Sequence, residues 1–258
     1  MKKIITVLLA AMLVFAFAAC GETEETVADT TEVVVDTTAA ETTVADTTAA
    51  EVVDTPAVMS YAEYAAAELD TAVTVECYVQ AHQSWWDNKI TVYAQDADGA
   101  YFLYEMACSE EDAAKLVPGT KILVKGFKGA WAGEVEIMDA TFEFVEGADT
   151  FVAEAMDATA LLGTEELINH QNKFVSFKGL TVEAIEFKNG EPGDDIYVTL
   201  SKDGASYSFC VERYLTGPET EVYAAVSALK AGDVVDVEGF LYWYEGVNTH
   251  ITAVAAAQ

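Results

Sequence analysis

The 258-residue chain carries 44 acidic and 13 basic side chains, a formal net charge of −31. No segment after the N-terminus is basic, so the electrostatic footprint that supplies most nucleic-acid affinity is missing and polyanions should be repelled. Four cysteines, one of them near the N-terminus, are too few for a disulfide framework.

The chain opens Met1-Lys2-Lys3, runs apolar from Ile4 to Phe17 and reaches Ala18-Ala19-Cys20. A charged start, an apolar run and small residues before a cut make a secretion signal. A cysteine directly after the cut resembles the lipobox of bacterial lipoproteins, with Phe17 where leucine is usual. The resemblance implies a signal peptide over 1–19, lipid on Cys20 as the membrane anchor, and an extracytoplasmic protein on the outer face of the bacterial plasma membrane. The apolar run is shorter than the roughly 20 residues of a spanning helix. Two or more acyl chains on one cysteine anchor stably.

Residues 20–57 then read as a tether. They are almost all Thr, Ala, Val, Glu and Asp, with near-copies at Val34–Glu41 and Val44–Glu51 and no aromatic residue. Such a segment buries too little apolar surface to offset chain entropy and is predicted to be disordered, extended by its like charges.

From residue 58 the chain reads as one design used twice. Leu116-Val117-Pro118-Gly119, Val124-Lys125-Gly126-Phe127 and Gly133 are matched at one constant offset by Leu229-Lys230-Ala231-Gly232, Val237-Glu238-Gly239-Phe240 and Gly246. Earlier in each copy, Ile90-Thr91-Val92 matches Ile196-Tyr197-Val198, and Asp98-Gly99 matches Asp203-Gly204. The boundaries follow as 58–146 and 147–258.

Within the first copy, Ser60-Tyr61-Ala62-Glu63 is a capping-box start for a short helix, and a short helix is expected before each barrel. Val73, Val75, Cys77 and Val79 alternate with polar residues as a half-buried strand, and Ile90, Val92 and Ala94 do the same in the next. Asp98-Gly99 turns the chain into a third strand over Tyr101–Met106. Ser109 caps a helix that Pro118-Gly119 should end. Ile122, Val124 and Gly126 face inward on strand four, Val135 and Ile137 on strand five. Gly126 and Gly239 fall inside strands, where glycine marks a barrel corner.

Five strands with a helix between the third and fourth resemble the OB-fold, a small Greek-key barrel. The predicted fold class is therefore mainly β, with two tandem OB-fold-like five-stranded barrels. The whole layout is similar to Firmicutes-type bacterial lipoproteins that carry OB-like domains.

No catalytic, phosphate-loop or Cys-x-x-Cys signature is present, so no catalytic residue, metal or cofactor is expected. His82, His170 and His250 are isolated in sequence and read as ordinary surface or core residues. Asp96 and Asp98, like Glu191, Asp194 and Asp195, are fragments of a calcium-loop pattern without the remaining ligands. The aromatics point to a binding surface. Trp85 and Trp86 lie in the strand one–two turn and Trp131 in the strand four–five turn, the two loops that flank the ligand face of an OB barrel. Tyr93, Phe102 and Tyr104 have outward parity on strands two and three. These six residues are the candidate ligand platform. The competing reading is that they fold back on the barrel or bury between the two modules.

The leading functional expectation is a non-enzymatic, lipid-anchored protein whose barrels bind an extracellular glycan, a peptide or an envelope partner. Nucleic-acid binding is an alternative by fold analogy, opposed by charge. A purely structural interaction protein is the third reading.

Overall fold

The computed structural model describes residues 57–257. The expected signal peptide, Cys20 and all of the tether before Ala57 lie outside them.

The first half begins with α1 (Tyr61–Ala66), followed by β1 (Ala72–His82), β2 (Lys89–Gln95) and β3 (Ala100–Ala107). After α2 (Glu110–Ala113) come β4 (Lys121–Trp131) and β5 (Glu134–Phe144). The strands close into a barrel in the order β1-β2-β3-β5-β4, with β3 and β5 parallel and the other pairs antiparallel. This is an OB-fold-like barrel, and its interior holds the side chains that alternation placed there: Val73, Val75, Cys77, Val79, Ile90, Val92, Ala94, Tyr101, Leu103, Ile122, Val124 and Ile137.

Ser60 caps α1 with both halves of the capping box formed. The helix closes one side of the barrel, its Tyr64 and Tyr61 rings packed 5.0 and 5.6 Å from the ring of Tyr101. Lys128 of β4 donates to the carbonyls of Tyr64, Ala65 and Ala67 at 2.8–3.0 Å, tying down the helix C-terminus with a buried ammonium. Ser109 caps α2 as expected, but that helix is a single turn ending at Ala113, well short of Pro118. The residue before a proline is pushed out of helical geometry, and past Ala113 the chain tightens into i→i+3 bonds, Lys115 N to the Asp112 carbonyl and Leu116 N to the Ala113 carbonyl.

The second half contains β6 (Met156–Asp157), β7 (Phe174–Phe187), β8 (Ile196–Lys202), β9 (Ala205–Val211), α3 (Glu221–Ala228), β10 (Val234–Phe240) and β11 (Asn248–Ala256). Its order, β10-β11-β9-β8-β7-β6 with a further β10–β7 pairing, repeats the sequence of neighbours seen in the first half. Here two 3₁₀ turns, Thr159–Leu161 and Leu167–His170, stand where a helix was expected. Neither has a side-chain cap, the feature that starts α1.

The repeated Val-x-Gly-Phe has a steric cause. Both glycines sit at register shifts in their strand pairings. A Cβ on Gly126 would collide with Ile137 and the backbone of Met138, and one on Gly239 with the carbonyl of His250. The partner strand approaches too closely there for any side chain.

Both halves belong to one compact unit. The segment after residue 146 stays on the first barrel: Ala153 N donates to Gln80 Oε1 at 2.8 Å, and Gln80 Nε2 donates to the Phe151 carbonyl at 3.1 Å. The β4–β5 hairpin reaches the other way. Its Ala132 carbonyl accepts from Glu245 N at 2.7 Å, and its Glu134 Oε2 from Trp243 N at 2.8 Å. From the other half, the side chains of Gln171 and Asn172 bond to the backbone of Gly133 and Val135.

Candidate ligand-binding groove

Parity placed the aromatics of β2 and β3 correctly, but their surroundings differ from the expected open face. Tyr93 is 1% exposed and Phe102 3%. Together with Phe240 they form a small core between the two halves, joined by Ala81, Phe174, Leu215 and Tyr242. Tyr93 stacks on Phe240 at 4.5 Å, and Phe102 meets the edge of Tyr242 at 5.2 Å. Aromatics of the second half cover those on the outside of the first barrel, and each buries the other from water.

His250 belongs to this core. Its ring stacks on Tyr242 at 4.3 Å, and its Nδ1 is 2.6 Å from the Tyr93 hydroxyl. Gln83 Nε2 donates to that same hydroxyl at 3.2 Å, so the tyrosine proton is free for the imidazole. Burial holds the His250 pKa down at about 3, and the ring is neutral. Glu134 is fully buried at the same contact, and desolvation pushes its carboxyl up to about 8.

The other candidates separate. Tyr104 is exposed at the margin of the buried core, its ring stacked on Phe102 at 6.4 Å. Trp131 is 63% exposed on the β4–β5 turn. Trp85 is half-buried against the barrel interior, its indole N–H donating to the Cys108 carbonyl at 2.9 Å. Trp86 is 79% exposed. The six residues therefore do not share one groove: Trp85 and Trp86 line one, and Tyr93 and Phe102 are core.

That groove has a volume of about 470 Å³ and lies where the β1–β2 turn meets the chain just after β9. The turn Trp86-Asp87-Asn88-Lys89 is a tight two-residue loop. Asp87 and Asn88 both have positive φ (47° and 61°), and the backbones of Trp86 and Lys89 exchange two hydrogen bonds. This is the type I′ geometry that Asp and Asn tolerate and that matches strand twist. It holds Trp86 outward on a stiff support.

The opposite wall is Arg213 and Tyr214. The Glu212 carboxylate accepts from the backbone N–H groups of Tyr214 and Leu215 at 3.0 and 2.9 Å, and burial raises its pKa to about 7. Asp195 Oδ1 accepts from Arg213 N at 3.0 Å. Ser84 N donates to the Tyr214 carbonyl at 2.8 Å, stitching the two walls together. The Arg213 guanidinium lies over the Tyr214 ring at 5.0 Å. On the floor, Lys89 pairs with Glu105 at 2.7 Å. Glu105 stands at a register shift of the β2–β3 pairing with φ of 44°, the kind of bulge that re-aims a side chain.

Arg213 and Tyr214 were not among the sequence candidates. One signal was available: Arg213 is the sole arginine of the chain. Among the described residues no cluster of three or more His, Cys, Asp or Glu side chains could hold a metal ion. Asp96, read as a calcium-loop fragment, instead accepts from Asp98 N, Gly99 N and the Tyr101 hydroxyl at the β2–β3 turn. Cys77, Cys108 and Cys210 are buried free thiols.

No family model matches the chain, and no curated protein does. Among solved structures, similar chains include a murine DNA-binding protein bound with double-stranded DNA, which is 11% identical with a TM-score of 0.36 over 72% of this chain and 96% of that one. The p204 HINb domain is 14% identical with a TM-score of 0.32, over 70% and 94% of the two chains. The Ifi202 HINa domain in complex with a 20-base-pair duplex is 11% identical with a TM-score of 0.33, over 74% and 97%. Likeness at this level carries no argument about what this chain binds.

Proposed function

We propose that the chain is a non-enzymatic binding protein, anchored by lipid on Cys20 at the outer face of a bacterial plasma membrane. Two OB-like modules, 58–146 and 147–258, form its head, and an extracellular glycan or peptide is its ligand. The observation that carries the reading is Trp86, a large aromatic ring held in water on a stiff turn beside Tyr214. An exposed aromatic ring lining a groove beside a few placed polar groups is the arrangement that small-molecule sites use. The anchor rests on the signal pattern that ends at Cys20.

Binding is tested by calorimetric titration of the full chain with glycans, peptides and single-stranded oligonucleotides, in wild type and Trp86→Ala. Saturable binding lost in the variant supports the reading. Submicromolar oligonucleotide binding that falls steeply with salt supports the nucleic-acid alternative instead. The anchor is tested by Cys20→Ser, which should leave the membrane fraction or remain unprocessed. A variant that fractionates like wild type removes the lipoprotein reading.

A structural interaction role is the second reading, favoured by the burial of Tyr93 and Phe102 between the halves. It predicts that no ligand class titrates the Trp86 groove.

A further inference from the structure

The groove beside Trp86 is built from both halves, and its chemistry narrows what fits it. We infer that it takes a neutral saccharide, with apolar ring faces on Trp86 and Tyr214 and hydroxyls on Arg213, Gln83 and Glu105. The inference rests on the reading of this groove as the ligand site.

The charges of the groove cancel locally. Lys89 is paired with Glu105 at 2.7 Å, and Arg213 lies 3.8 Å from Asp194. Asp87 adds a further acid on the turn itself. An anionic ligand would meet no surplus positive charge here, and the chain as a whole carries −31. A cationic ligand would find Glu105 already paired with Lys89 and Asp194 with Arg213. A ligand without charge disrupts neither pair.

The polar groups that remain suit hydroxyls. The 3.8 Å separation from Asp194 makes an ion pair without a hydrogen bond, and among the described residues none accepts a hydrogen bond from the guanidinium, which lies over the Tyr214 ring. Its N–H fork is therefore free to donate to two neighbouring hydroxyls at once. The Gln83 amide donates from nitrogen to Tyr93, which leaves its carbonyl oxygen to accept. The Glu105 carboxylate accepts as well. Each sugar hydroxyl both donates and accepts, and the groove offers both partners.

A peptide finds less. Strand addition needs a free edge, and β2 is already paired on both sides, with β1 and with β3. The aromatic rings instead present exposed surface, with the Arg213 guanidinium over the Tyr214 ring. The backbones that carry them are set before any ligand arrives, Trp86 by its two-residue turn and Tyr214 by Glu212 and Ser84. Backbone ordering of these two residues therefore adds little to the cost of binding.

The test is calorimetric titration of the full chain with neutral hexose and N-acetylhexosamine oligomers, their uronate- or sulfate-bearing counterparts, and a random peptide mixture. Wild type should bind one of the neutral oligomers saturably and more tightly than its charged counterpart. Trp86→Ala and Tyr214→Ala should each weaken that binding about tenfold with the unfolding midpoint unchanged. Arg213→Lys, which keeps the charge and loses the planar fork, should weaken it about fivefold. Tighter binding of charged sugars or of peptide, still lost in Trp86→Ala, overturns the neutral-saccharide inference and leaves the groove as the site. Neutral-sugar binding untouched by both alanine variants overturns the groove itself. Absence of any saturable neutral-sugar binding at millimolar concentration also overturns the inference.

Discussion

Tyr93 and Phe102 sit on the same two strands that line the Trp86 groove, yet Phe240, Tyr242 and His250 cover them while Trp86 stands in water. Both surfaces are aromatic, and both belong to the outside of the first barrel. What separates them is a segment some 150 residues away in sequence that supplies aromatics for one and not for the other. An outward aromatic on a small barrel is thus not evidence of a ligand face until the neighbouring half of the chain is placed. Energetically the two surfaces should behave oppositely, and that contrast can be broken by measurement.

The largest effect belongs to the covered surface. Phe240→Ala removes the ring stacked on Tyr93 and should cost about 3–5 kcal/mol in urea unfolding of the full chain. A loss below about 1 kcal/mol would mean that the contact between the halves is not a true core.

Next comes the buried acid of the same contact. Glu134 holds its proton in the fold up to about pH 8, whereas in the unfolded chain it titrates near 4.5. Between those values the folded state binds the extra proton, so this group's contribution to stability falls as pH rises from about 4.5 to about 8 and is constant above. Glu134→Gln should remove that slope and gain on wild type with rising pH, on the order of 5 kcal/mol by pH 9. His250 acts in the opposite sense. Its pKa falls from 6.5 to about 3 on folding, so its contribution is present above 6.5 and lost as pH drops toward 3. The comparison of wild type with the Gln variant isolates Glu134 from it. A pH-independent difference would place Glu134 in contact with water.

Gly239→Ala sharpens the comparison from the backbone side. The added Cβ meets the His250 carbonyl, so the β10–β11 approach that positions the covering aromatics must open, at about 1–3 kcal/mol. Wild-type stability in that variant would contradict the close approach.

The smallest change is expected on the exposed surface. Trp86→Ala should alter stability by no more than about 0.5 kcal/mol, because the ring touches little of the core. A loss of several kcal/mol would make it a core aromatic.

Much of the first barrel was legible in the sequence. Alternation placed Val73 through Val79 and Ile90 through Ala94 inside, and the cap at Ser60 was explicit in Ser-x-x-Glu. The paired Val-x-Gly-Phe segments marked both bends, because a strand glycine has few other reasons to recur. The length of α2 was not legible: a cap and a distant proline bound a helix without saying how much of the interval it fills. Nor was the fate of Tyr93 and Phe102, since parity gives a side and not a neighbour. A clue did exist in Phe240, Tyr242 and His250, a second row of aromatic side chains at outer positions of the other copy. For the groove, Trp85 and Trp86 were legible as turn residues. Arg213 and Tyr214 were not, because no local pattern says which loop of one copy approaches the other.

Hydroxyl-radical footprinting of the full chain, read residue by residue, addresses the central contrast directly. Trp86 and Tyr214 should be modified readily, while Tyr93, Phe102 and Phe240 should be protected to the level of interior residues such as Phe177 and Phe209. Labelling of Tyr93 and Phe102 at the rate of Trp86 would contradict the account, since the first barrel would then keep its aromatic face open.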